Sequence, residues 1–323
     1  MRAGPAGPGS TAATALARSA LATAVATYVL VILGSTVRVT ESGMGCPGWP
    51  LCYGQLGPID RFHSAVEQTH RYVVVVVTVL VLLTAALAWF AARRRRSVLW
   101  PATAAAVVIV VQIALGAVTV ITHNAPITVA LHLLTAQLLL ALVTVVAVTA
   151  RTATRAAGAA RLPWLGWAAV AATFVLLVAG SLVVDGGATY ACPSWPACGL
   201  HGEPAALVAI QYVHRGAVLV VGIILAVFVM RAARGWRHVA GSRWVADLIG
   251  AAFLAEVAVG GLSATLRAPE GIQDLHLALA AVIWVGVVAL ATLGWQAGVA
   301  SAPPGPRAAV EGVRMGADMV PGS

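Results

Sequence analysis

The chain has 323 residues, of which 60 % are hydrophobic and 10 % charged, with a formal net charge of +9 and a mean hydropathy of +0.91. A soluble domain of this length is excluded, because too little polar surface remains to face water. The basic excess is all arginine, and its placement reports membrane orientation rather than a nucleic-acid interface.

Runs long enough to cross a bilayer, about 20 residues each, are predicted at 19–37, 70–90, 98–121, 128–150, 163–184, 206–230, 244–265 and 273–295. The expected fold is an all-α integral membrane protein, with eight transmembrane helices arranged as two tandem four-helix bundles related by internal duplication. Residues 17–150 form the first bundle and 163–297 the second, while 1–16 and 298–323, rich in Gly, Pro and Ala, read as disordered cytoplasmic tails. The first run follows Arg2 and Arg18 and could pass for a signal peptide. Gly34-Ser35 at its end, however, recurs as Gly180-Ser181 at the end of the fifth run, which marks a retained helix.

Fifteen of the 20 arginines lie in the N-terminal segment, the loops after even-numbered spans and the tail. Arg93 to Arg96, then Arg151, Arg155 and Arg161, then Arg231, Arg234, Arg237 and Arg243 follow spans two, four and six. The positive-inside rule therefore puts both termini in the cytoplasm of a multi-pass cell-membrane protein. Arg93 to Arg96 read as a stop-transfer flank, with contact to anionic lipid as the alternative.

The loops at 38–66 and 185–205 then fall outside the cytoplasm, where disulfides persist. They carry one motif twice: Cys46-Pro-Gly-Trp-Pro-Leu-Cys52 returns 146 residues later as Cys192-Pro-Ser-Trp-Pro-Ala-Cys198. Each pair is expected to close on itself as a short staple, worth on the order of 2 kcal/mol. Structural stapling and a redox role both stay open for Cys46 and Cys52. Zinc is disfavoured, since a structural site takes four ligands at tighter spacings.

Of eight histidines, four are duplicated at an offset of 144: His70 with His214, and His132 with His276. They open spans two, six, four and eight, which places all four near the outward membrane face. Imidazoles so close to hydrocarbon need partners, and two facing across a four-helix bundle can hold a haem iron from both sides. His63, His123, His201 and His238 lack repeat partners and read as surface residues. At the position of His123 the second half has Arg267, and a cation there could meet haem propionates. Arg71 and Arg215, each after a duplicated histidine, read as propionate contacts, with interfacial snorkelling as the alternative.

The halves differ where chemistry would be placed. Glu67 corresponds to Gln211 and stands three residues before His70, on the same helix face. A carboxylate beside a haem edge can take a proton or stabilise developing positive charge; a solvated carboxylate at a helix start is the plain alternative. The first half then holds the reaction and the second a permanent cofactor. Gln112 in span three aligns with Glu256 in span seven. Glu256 reads as a proton carrier, a modifier of the second-half haem, or a residue hydrogen-bonded to a neighbouring helix, outside the active site.

The run Gly34-Ser-Thr-Val-Arg-Val-Thr-Glu-Ser-Gly-Met-Gly-Cys46, the segment Glu67-Gln-Thr-His70-Arg71, His132, and the second copy through Cys192, Cys198, His214-Arg215 and His276 resemble the haem A synthases over nearly the whole chain. The resemblance is to the bacterial branch with two outward cysteine pairs, where thiol exchange has been suggested for the first pair. It implies an oxidoreductase that hydroxylates one methyl group of haem O twice, giving an alcohol and then a geminal diol that loses water to the formyl group of haem A. It implies further that His214 and His276 hold a haem b cofactor as electron relay, that His70 and His132 face the substrate haem O, and that Glu67 is the catalytic carboxylate. Haem O synthase is a candidate partner. The main rival is a di-haem cytochrome b type electron carrier, which the asymmetry at Glu67 and Gln211 disfavours. A transporter built from parallel repeats is weaker, since its sites favour broken helices at the bilayer midplane.

Overall fold

A computed structural model of the chain describes residues 8–57, 60–152, 163–199, 204–237 and 239–300. Among the described residues eight α-helices run in chain order: α1 (Pro8–Val39), α2 (Phe62–Ala92), α3 (Arg96–Ile121), α4 (Pro126–Arg151), α5 (Pro163–Asp185), α6 (Ala205–Gly235), α7 (Ser242–Thr265) and α8 (Glu270–Ala300). All eight are long and apolar enough to cross a membrane. Runs such as Val73–Val77 are poor helix formers in water, but in lipid every backbone N–H and C=O must be paired within the segment. The helix is the form that pairs them.

Helix α1 begins at Pro8, so the second half of the segment expected as an N-terminal tail is helical instead. Proline is at home in a first turn, the following Ala-rich stretch has high helix propensity, and Leu16 and Ala20 are buried against Ala88, Ala92 and Val98. The tail expected at 298–323 falls largely outside the described residues, as do His201 and His238.

Local chemistry sets the ends. Pro126 opens α4, and Arg95 in the α2–α3 turn donates from Nη2 to the Thr149 and Thr152 carbonyls at 2.7 and 3.1 Å, capping its far end. Helices α3 and α7 each stop on two successive left-handed residues, His123-Asn124 and Arg267-Ala268, which turn the chain directly into α4 and α8.

In the first half α1 and α3 each pack on both α2 and α4; in the second, α5 and α7 each pack on both α6 and α8. Across the middle, α8 lies on α4 and α1, which makes α4 and α8 the two most buried helices. One apolar cluster spans this seam, joining Leu30, Val77, Ile109 and Leu140 to Trp284 and Val288. Polar contacts cross it too: Trp284 Nε1 donates to the Gln137 carbonyl at 2.9 Å and Tyr28 Oη to that of Ala278 at 3.2 Å. Near the cysteine loops, Thr36 donates to Asp274 at 3.0 Å and Arg38 pairs with Asp185 at 3.4 Å.

Candidate functional site

Four histidines begin at one end of the bundle, the end carrying the cysteine loops, and each rests on a glycine of the preceding helix. A Cβ at Gly34 would stand 3.3 Å from His70 Cε1, at Gly116 3.2 Å from that of His132, at Gly180 3.5 Å from that of His214, and at Gly260 2.9 Å from that of His276. Glycine is required there for space: α1 and α2, and each equivalent pair, come close enough that the imidazole fills the place of a side chain. His70 and His132 lie within electrostatic reach of each other, as do His214 and His276. In all four rings Nδ1 is sealed from solvent while the side chain as a whole is only half buried; those of His70, His132 and His214 have no hydrogen-bond partner, and that of His276 lies 3.2 Å from Glu256 Oε1. A buried polar atom left unpaired is costly, and imidazoles buried at four repeat-related positions call for a common cause.

Glu67 is 4 % exposed and its two oxygens face different groups. Oε2 accepts from the Cys46 backbone N–H at 2.8 Å, and Oε1 accepts from Arg71 Nη2, one turn further along α2. The first contact needs Gly45. A Cβ there would come within 2.6 Å of the His63 backbone, so only glycine lets the loop settle on the start of α2. Arg71 also donates from Nη1 to the Gly48 and Pro50 carbonyls at 2.7 and 3.0 Å, tying the whole loop to the helix.

The second half repeats the clamp without the carboxylate. Arg215 donates from Nη1 to the Ser194 and Pro196 carbonyls, both at 2.9 Å, and from Nη2 to that of Cys192 at 3.2 Å. Gln211, where Glu67 would be, donates from Nε2 to the Ala188 carbonyl at 2.8 Å. Both cysteine pairs are closed as disulfides, Cys46–Cys52 and Cys192–Cys198, each with a Cα separation of 4.8 Å.

A family model described as cytochrome oxidase assembly protein (COX15-CtaA) matches residues 17–69 and 60–288. Among curated relatives, the Heme A synthase of Geobacillus thermodenitrificans is 30 % identical over 256 residues, 74 % of this chain and 79 % of the relative. The chain belongs to the haem A synthase family. The Heme A synthase of Geobacillus kaustophilus is 28 % identical over 234 residues, 68 % of this chain and 72 % of that relative. That of Exiguobacterium sibiricum is 29 % identical over 176 residues, 53 % and 59 % of the two chains. Membership of the haem A synthase family gives the four imidazoles a chemistry to be tested against. Imidazoles paired across a bundle are a fitting donor set for haem iron, and the four half-buried rings stand at repeat-related positions.

Other sequence candidates are placed as follows. Arg71 and Arg215, expected on propionates, direct both terminal guanidinium nitrogens to loop carbonyls or to Glu67. His63 and His123 are exposed, and His63 Nδ1 lies 3.0 Å from Ser42 Oγ. Glu256 stands against His276, nearer the histidines than expected. Sequence reasoning missed the glycine seats, although Gly116 and Gly260 keep the 144-residue register of the histidines they face and Gly34 and Gly180 the 146-residue register of the cysteine loops. It also missed the cross-seam pair Arg38–Asp185, for which no pattern in the sequence stands out.

Proposed function

We propose that the protein is a haem A synthase, oxidising the C8 methyl group of haem O to the formyl group of haem A by two successive hydroxylations. The supporting observation is the buried Glu67 carboxylate, held by the Cys46 N–H and Arg71 on the helix that presents His70 and replaced by Gln211 in the other half. In this reading residues 17–150 form the substrate half, with haem O between His70 and His132. Residues 163–297 form the cofactor half, with haem b between His214 and His276.

Haem b, when bound, supplies one-electron relay chemistry. The chain's own groups do the rest. His70 and His132 hold the substrate haem and set which edge faces Glu67. Glu67, three residues before His70, stabilises positive charge developing at the methyl carbon and accepts the proton released on hydroxylation. Its two donors keep the carboxylate aimed before substrate arrives, so little reorganisation is needed at the moment of reaction. Arg71 and the Cys46–Cys52 staple hold the loop that supplies one of those donors. The arginine distribution supports a cell-membrane setting with both termini cytoplasmic and the haem sites toward the outer face; haem O synthase is the natural supplier of substrate.

Alanine variants at the four histidines test the division of labour. His214→Ala and His276→Ala are expected to lose the stable haem b spectrum, while His70→Ala and His132→Ala keep it and fail to convert haem O. Retention of that spectrum in both second-half variants would overturn the cofactor assignment.

A further inference from the structure

The two halves differ at a second pair of positions, on the helices that seat His132 and His276. Gln112 on α3 and Glu256 on α7 are 144 residues apart, the spacing of the histidines themselves. Each lies one turn before the glycine under the ring, Gly116 or Gly260, and so on the same helix face. Glu256 Oε1 stands 3.2 Å from His276 Nδ1, an ion-pair distance, and its Oε2 is buried without a partner. Gln112 meets its histidine differently. Its Nε2 donates to the His132 carbonyl at 2.9 Å and lies 3.3 Å from His132 Nε2. A backbone carbonyl can only accept, so the group at that spot is the amide N–H. One ring therefore faces a carboxyl oxygen at Nδ1, and the other faces an N–H donor at Nε2.

We infer that Glu256 is a positioning residue that makes His276 a strong, permanent iron ligand, whereas Gln112 leaves His132 an exchangeable one. The inference rests on the reading of the four histidines as haem ligands. A carboxylate beside Nδ1 fixes the tautomer with its proton on Nδ1 and its lone pair on Nε2, and raises the basicity of the ring. A more basic axial ligand binds iron more tightly and favours its oxidised form. The amide of Gln112 acts in the opposite sense: its N–H competes with iron for the Nε2 lone pair of His132. A retained cofactor and a haem that must enter and leave need this difference, and the exchange of carboxyl for amide provides it inside otherwise repeated surroundings.

The test uses the full chain purified with haem b, with haem O supplied for the first-half site, and compares wild type, Glu256→Gln and Gln112→Leu. The readouts are the midpoint potential by spectroelectrochemistry and the rate of haem transfer to excess apomyoglobin. Glu256→Gln is expected to keep a low-spin, bis-imidazole spectrum, to shift the potential upward, and to transfer its haem about 10- to 100-fold faster, the usual scale for loss of a ligand's hydrogen-bonding partner. Gln112→Leu, which removes the N–H facing His132 Nε2, is expected to slow transfer of the first-half haem, read apart from haem b by its spectrum. A Glu256→Gln protein with wild-type potential and transfer rate overturns this inference while leaving the ligation reading intact. Should Glu256→Gln not load haem, Gln112→Leu carries the test, and unchanged transfer from the first site overturns it. Full retention of the haem b spectrum in His276→Ala would instead overturn the ligation reading, and this inference with it.

Discussion

In the proposed mechanism Glu67 is the residue on which the chemistry turns, and its surroundings say how it can fail. Glu67→Gln keeps the size of the side chain but turns one of its two acceptor oxygens into a donor, set against the Cys46 N–H or Arg71. The variant is expected to hold haem b while losing product formation, as read by pigment extraction. Arg71→Ala acts one step back: it removes contacts to Gly48, Pro50 and Glu67 together, each charge-assisted bond being worth about 1.5–3 kcal/mol. Limited reduction followed by thiol labelling is expected to open Cys46–Cys52 faster than in wild type, with Cys192–Cys198 unchanged. Glu67 stands out in the sequence because its repeat partner is an amide. Its hydrogen-bond partners were not legible there, since they depend on the close approach that Gly45 allows between two segments. For Arg71 and Arg215 residue type and position suggest an anion, and the folded loop adds carbonyl partners that the sequence does not show.

At the scale of a helix pair, the glycine seats make a graded prediction. An added Cβ at Gly260 would come 2.9 Å from the His276 ring, closer than packed atoms tolerate, while at Gly180 the same atom would stand 3.5 Å from His214, an ordinary contact. Gly260→Ala is therefore expected to displace His276 and weaken haem retention, and Gly180→Ala to retain haem near the wild-type level, both measured from the absorbance spectrum of purified protein. Helix existence and type were plain from hydropathy alone, because lipid leaves the backbone no other way to pair its polar groups. Helix ends were harder. The start of α1 ran beyond its apolar window because alanine-rich sequence sustains a helix with little hydropathy signal, and Leu16 then buries against α2 and α3.

The molecule as a whole is organised around α4 and α8, the two most buried helices, each carrying one of the inner histidines. Nothing in hydropathy singles them out, since all eight spans are apolar and small or β-branched residues face lipid and protein alike. Trp284 reports on this seam: it is 2 % exposed, donates to the Gln137 carbonyl across it at 2.9 Å and packs at a tilt against Phe174. Trp284→Phe should cost about 1 kcal/mol for the lost hydrogen bond, and Trp284→Ala about 3–5 kcal/mol for the cavity, read as lowered thermal stability in detergent. In the proposed mechanism this seam brings a substrate haem and a cofactor haem into one apolar body, which suits an oxidation whose electrons leave through the second half.

The account stands on one chemical claim, that the first half oxidises haem O and does so through Glu67. The most direct measurement is extraction and chromatographic identification of haems from protein purified out of cells supplied with haem O, for wild type and Glu67→Gln side by side. Haem A or its hydroxymethyl precursor in wild type, and haem b with unconverted haem O in the variant, is the predicted result. Haem b alone in both, with ample haem O in the cells, would contradict it and favour a di-haem electron carrier.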